Sequence, residues 1–183
     1  MGAREDWPPA EVIIQSKVLF VDHYGIPGMI RAARIARAAG LEVVADFERD
    51  EHSQFGELLL NVDHLIVSST FAKKRTGLQT PREAAEVLAK TGAKVIIVTN
   101  GELDAWVVAE GSCFPFPAYP VNVVDSTGCG DAFHGVYAAC LSSGMGLGDR
   151  LKFSAAAASL KARHLGAQRG LPTRKEVEEF LGY

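Results

Sequence analysis

Short apolar segments alternate with amphipathic ones through the first part of this chain, and this alternation constrains the fold more than any other feature. Strands that are apolar throughout are typical of parallel sheets covered on both faces. Alternation of such strands with helices indicates an α/β architecture. We therefore expect a mostly parallel sheet with strands at Lys17–Asp22, Leu41–Asp46, His64–Ser68, Lys94–Thr99 and Ala105–Ala109, and helices at Gly28–Ala39, Phe55–Leu60 and Pro81–Lys90.

The later part of the chain is predicted to be mostly helical. A strand at Val121–Val124 is expected to precede three helices at Gly130–Ser143, Asp149–Leu165 and Thr173–Leu181. Thr80 with Glu83 and Thr173 with Glu176 have the spacing of capping boxes, which place helix starts there. No linker is long enough to divide the chain, so residues 1–183 are expected to form one domain.

A small-residue turn lies between Val124 and the next predicted helix, with the sequence Asp-Ser-Thr-Gly-Cys-Gly-Asp from Asp125 to Asp131. A helix N-terminus presents unpaired N–H groups and partial positive charge, which suit a phosphate. Glycines at Gly128 and Gly130 allow close approach of an anion to the backbone. Asp131 is then a candidate base that takes a proton from a hydroxyl attacking a phosphoryl group. The alternative is an ordinary turn in which glycines serve geometry and the aspartate caps the helix.

The sequence lacks the motifs of several other functional classes. No Lys follows Gly130, so the turn is not a Walker A loop, and the misplaced Gly135 excludes the dinucleotide fingerprint of an oxidoreductase. The net charge is −3 without a basic stripe, so no nucleic-acid partner is expected, and no apolar run has the length of a membrane span. The cysteines, without metal-type spacing, are interpreted as free thiols of a cytoplasmic protein. They are Cys113, Cys129 and Cys140.

The string from Asp125 to Phe133 closely resembles the C-terminal signature of the ribokinase-like carbohydrate kinases, the PfkB family. The resemblance implies a three-layer αβα fold and transfer of phosphate from ATP, with Mg²⁺, to a small sugar. It implies that Asp131 is the general base and that Asp125, with the Thr127 carbonyl and the segment Gly166–Pro172, binds K⁺. The nucleotide phosphates would be held by Thr99, Gly101, Gly128, Cys129 and Gly130.

Several positions depart from the family pattern. Asp104 stands where the family has the final glycine of the Thr99–Gly101 segment, and Ala155 where an asparagine is frequent. Ser68–Phe71 replaces the Asn-x-x-Glu segment that organises magnesium. The family's first strands and β lid are not found, so the chain resembles an N-terminally truncated member, with a sheet edge near Lys17–Asp22 that could pair with another copy. Two functions stay open: an ATP-dependent sugar kinase, or a non-catalytic nucleotide-binding fragment of one.

Overall fold

A six-stranded sheet is the central element of the computed structural model, which describes residues 6–183. The strand order follows the sequence, so each strand is hydrogen-bonded to the next. The first four strands run parallel, and the predicted three-layer, mostly parallel architecture is confirmed. The strands are β1 (Val18–Val21), β2 (Glu42–Asp46), β3 (His64–Ser68), β4 (Val95–Asn100), β5 (Leu103–Ala109) and β6 (Ser112–Phe116).

The helices begin and end near the positions that the sequence indicates. Pro27 lies in the first turn of α2, and Pro81 begins α5 behind the Thr80 cap, whose hydroxyl accepts the Glu83 N–H. The helices are α1 (Ala10–Ile14), α2 (Ile26–Ala38), α3 (Phe55–Leu59), α4 (Ser69–Thr76), α5 (Pro81–Leu88), α6 (Cys129–Ser142), α7 (Leu147–Ala162) and α8 (Arg174–Leu181). None of them, within residues 6–183, is long and apolar enough to cross a membrane.

The chain forms two compact units. The first comprises the chain up to Asn100 and Ala105–Pro115; its core is built from strand side chains and the inner faces of α2 to α5. Phe55 contacts Phe47 on one side and Phe71 on the other, edge-on in both cases.

The second unit comprises Gly101–Asp104 and Phe116–Tyr183. Helices α6, α7 and α8 pack around a small core of five buried side chains. Small alanines on α7 allow the close approach of α6. The core residues are Cys140, Phe153, Ala156, Ala157 and Val177.

The structure differs locally from the elements that the sequence predicts. The segment Val121–Val124 is not a strand: Val123 and Val124 are exposed, and the Val124 N–H donates to the carbonyl of Ala162 at the end of α7. Strand β6 was not expected because Pro115 interrupts its apolar pattern. Helix α4 was not expected either, since it is mostly polar; the Ser68 hydroxyl caps it by accepting the Phe71 N–H.

Candidate functional site

The N-terminus of α6 leaves two backbone N–H groups without a partner. Gly128 is the N-cap residue, and no side chain caps the helix. The Cys129 N–H donates to the Ser126 carbonyl and the Ala132 N–H to the Gly128 carbonyl. Across residues 6–183, the N–H groups of Gly130 and Asp131 have no hydrogen-bond acceptor. Free N–H groups at the positive end of a helix dipole are chemically suited to an anion.

The two glycines of the turn are required for different reasons. Gly128 has φ +81°, and a Cβ at this position would lie 2.6 Å from the Ala167 carbonyl oxygen. Gly130 has ordinary helical geometry, and a Cβ there would meet nothing within 4 Å. Gly128 therefore allows the turn to contact the loop after α7, whereas Gly130 leaves space beside the free N–H groups.

Asp125 holds the turn and the loop after α7 together. One carboxylate oxygen accepts the Thr127 N–H at 2.9 Å, and the other accepts the Gly166 N–H at 2.7 Å. These bonds, first that from Thr127 and then that from Gly166, lower the pKa of Asp125 to about 2. The carboxylate is therefore ionised at neutral pH, and both of its oxygens are already engaged by the protein backbone.

Lys161 is a further residue at this turn that the sequence does not predict, because no side-chain pattern marks a lysine that contacts backbone oxygens. Its side chain is fully buried. The ammonium donates to the Asp125 carbonyl at 2.9 Å and to the His164 carbonyl at 3.3 Å. The turn and the loop thus share a buried cation that the chain itself supplies.

Asp131 lies exposed in the first turn of α6, next to the free N–H groups. An exposed carboxylate at this place is accessible to an acceptor hydroxyl. Burial raises the pKa of the neighbouring Cys129 thiol, which favours its neutral form and disfavours a nucleophilic role. The Cys129 side chain is therefore not a candidate nucleophile.

The remaining predicted site residues lie at another turn. The Thr99 hydroxyl donates to the Val67 carbonyl on β3 at 3.4 Å, and Gly101 has φ +64° where the chain passes from β4 to β5. The structure thus brings Asp125, Thr127 and Gly128–Asp131 into one turn, while Thr99 and Gly101 belong to the β4–β5 connection. Within residues 6–183, no cluster of three His, Cys, Asp or Glu side chains is arranged to hold a metal ion.

Comparison with known proteins identifies the family. The sequence model described as pfkB family carbohydrate kinase matches residues 4–174, and the chain belongs to this family. It is 29% identical over 161 residues to the ribokinase of Haemophilus influenzae, covering 85% of this chain and 52% of that protein. A 97-residue stretch, 53% of this chain and 33% of the relative, is 41% identical to the ribokinase of Bacillus subtilis. The chain spans about half the length of the Haemophilus relative, and the stretch matched to the Bacillus relative covers a third of that protein.

Solved structures show the same fold. The ribokinase of Thermotoga maritima superposes with a TM-score of 0.86 at 27% identity, covering 97% of this chain and 61% of that one. The Arabidopsis thaliana ribokinase complexed with ribose and ATP gives a TM-score of 0.85 at 27% identity, covering 95% and 58%. The family expected from the turn sequence is therefore confirmed.

The close contact at Gly128 predicts a large loss of stability on substitution. Gly128→Ala forces an alanine to a positive φ and drives its Cβ into the Ala167 backbone, so we expect a loss of more than ~3 kcal/mol in the free energy of unfolding. Gly144→Ala is the matched control, because Gly144 has φ +75° and open space around it. It should cost only about 1 kcal/mol. Urea denaturation measures both free energies of unfolding, and equal losses in the two variants would contradict the contact between Gly128 and Ala167.

The ionised Asp125 predicts a pH-dependent contribution to stability. Its pKa is lowered by folding, so its stabilisation is fully present above the unfolded-state pKa and is lost as the pH falls through the folded value of about 2. Asp125→Asn should therefore be less stable than the wild type at pH 7, and the difference should shrink between about pH 5 and pH 2. Urea unfolding of both proteins across this range tests it; a constant difference would refute it.

Proposed function

We propose that the turn at the N-terminus of α6 binds the phosphates of a nucleotide, and that the chain is the nucleotide-binding part of an ATP-dependent carbohydrate kinase. The observation that carries this proposal is the pair of free N–H groups at Gly130 and Asp131 beside an unfilled space. Membership of the pfkB family supports the sugar-kinase class. The solved Arabidopsis relative in complex with ribose and ATP supports the pairing of donor and acceptor.

Asp131 supplies the chemistry in this proposal. Its carboxylate takes the proton of a sugar hydroxyl as that oxygen attacks the γ-phosphorus of ATP. The N–H groups of Gly130 and Asp131 and the dipole of α6 bind the nucleotide phosphates and stabilise the negative charge shared by the transferred phosphoryl group and the ADP that leaves. Mg²⁺ accompanies the nucleotide, because it is usually bound through phosphate oxygens with only one or two protein carboxylates.

Ribose is the first acceptor to test, because the Haemophilus and Bacillus relatives are ribokinases. The chain spans about half of the Haemophilus relative, which also supports the alternative of a non-catalytic nucleotide-binding fragment. Binding of ADP without turnover of any sugar would favour that alternative.

The other expectations stay predictions. Thr99 and Gly101 as phosphate contacts, K⁺ at Asp125 and Thr127, and a single domain over 1–183 belong to this group. So do a cytoplasmic location, where ATP is present, and association of two copies through the edge of the sheet at β1. Strand β1 is at one end of the strand order, as that last prediction requires.

A pair of glycine substitutions in one helix tests the phosphate position. Gly130→Ala places a methyl group beside the free N–H groups and should weaken ADP binding by about tenfold or more. Gly135→Ala is the control, since Gly135 also lies in α6 with open space around it. Both variants should keep the wild-type stability or gain up to about 1 kcal/mol. Calorimetric titration with ADP decides: equal affinities of the two variants would remove the phosphate site from this turn.

A pair of aspartate substitutions tests the base. Asp131→Asn should lower phosphate transfer to ribose by ~10²-fold or more, while ADP affinity stays within about threefold. Asp149→Asn is the control, because Asp149 is a first-turn acid of α7. It should leave both measurements unchanged. Coupled detection of ADP release measures turnover, and a fully active Asp131→Asn variant would sink the assignment.

A further inference from the structure

Lys161 is a fully buried lysine whose ammonium is held by backbone oxygens. The ammonium donates to the Asp125 and His164 carbonyls, and no carboxylate within residues 6–183 forms an ion pair with it. Burying a charge is costly unless other groups replace its hydration. A cation held mainly by backbone carbonyls is the arrangement by which proteins hold K⁺.

The Lys161 ammonium lies between the turn before α6 and the loop after α7. Its first partner, Asp125, begins the turn that ends at the free N–H groups of α6, and its second partner, His164, lies in the loop after α7. The same two segments are joined by the bond from the Gly166 N–H to the Asp125 carboxylate and by the close approach of Gly128 to Ala167. The cation therefore lies where the phosphate-binding turn is attached to the rest of its unit.

Each oxygen atom of Asp125 already accepts a hydrogen bond from the protein. Both carboxylate oxygens accept backbone N–H groups, and the carbonyl oxygen accepts the Lys161 ammonium. An ammonium brings one positive charge and three donors on a flexible stem. The Lys161 ammonium donates hydrogen bonds to the two carbonyls, and its positive charge offsets the negative charge of Asp125. Unlike a free ion, it cannot dissociate into the solvent.

We infer that Lys161 is a tethered monovalent cation that positions the phosphate-binding turn in place of K⁺. The inference, which rests on the proposed nucleotide site, makes Lys161 a positioning residue rather than a catalytic one. It also makes nucleotide binding independent of the alkali cation in solution. It is an alternative to the K⁺ site that the sequence predicts at Asp125 and Thr127, and the dependence of ADP affinity on the salt distinguishes the two.

The wild-type chain gives the first test. ADP affinity is measured by calorimetry in KCl, NaCl and choline chloride at equal ionic strength. The three dissociation constants should agree within about twofold, because the cation at the turn is covalently attached. A gain of more than about fivefold in KCl over both other salts would show a separate K⁺ site and overturn the inference.

Removal of the ammonium gives the second test. Lys161→Ala deletes the atoms of a propylammonium ion and should weaken ADP binding by about tenfold or more in choline chloride. Added KCl or propylammonium chloride should restore much of the lost affinity. Lys152→Ala is the control, because Lys152 is a half-exposed lysine of the same helix. It should bind ADP like the wild type in every salt.

Thermal unfolding without nucleotide separates this inference from the proposed function. KCl or propylammonium chloride should raise the unfolding midpoint of Lys161→Ala relative to choline chloride, and should not do so for the wild type or Lys152→Ala. If Lys161→Ala does not fold in choline chloride, its folding in the other two salts is the readout, with Lys161→Met as a second variant. A loss that no cation restores in either variant would overturn the role of Lys161. If KCl or propylammonium chloride stabilises Lys161→Ala but the wild type binds no ADP, only the proposed nucleotide site is refuted.

Discussion

The hydrogen bond between the Gly166 N–H and the Asp125 carboxylate is the interaction on which the candidate site depends. Without it, the turn before α6 would be attached to its unit mainly through the carbonyl of Ala162 and the ammonium of Lys161. The bond is charge-assisted and short, and such bonds are stronger than those between neutral groups. It fixes where α6 starts, and therefore where the free N–H groups of the helix point.

Catalysis of phosphate transfer depends on hydrogen-bond donors that are held in a fixed orientation. An enzyme gains rate when dipoles are already oriented toward the charge that develops in the transition state. In the second unit, the orientation of the Gly130 and Asp131 N–H groups is set by three separate contacts between the turn and the loop. They are the Asp125–Gly166 bond, the Lys161 bridge and the contact of Gly128 with Ala167. The other two contacts reinforce the Asp125–Gly166 bond, so the turn is held at three points even though Ser126, Thr127 and Asp131 are exposed.

The sequence predicts the elements that bury an apolar face and misses those defined by tertiary contacts. The parallel strands and the helices at α2, α5 and α8 follow from apolar pattern, proline and capping residues, and their bounds agree within a few residues. Val121–Val124 has strand propensity but lies beside the end of α7, where the Ala162 carbonyl accepts its backbone N–H. Propensity cannot distinguish these two extended environments. The specific turn sequence predicts roles for Asp125 and Asp131, whereas Lys161 contacts backbone oxygens, whose positions no side-chain pattern displays.

The two glycines of the turn respond to different selective pressures. Substitution of Gly128 lowers stability whether or not the turn binds a ligand, because the Ala167 backbone occupies the space for a side chain. Gly130 is free to drift once no ligand has to approach the helix, because nothing in the protein fills its surroundings. A related sequence that retains Gly128 but has a larger residue in place of Gly130 would therefore be expected to keep the fold of the turn and to have lost the proposed phosphate site.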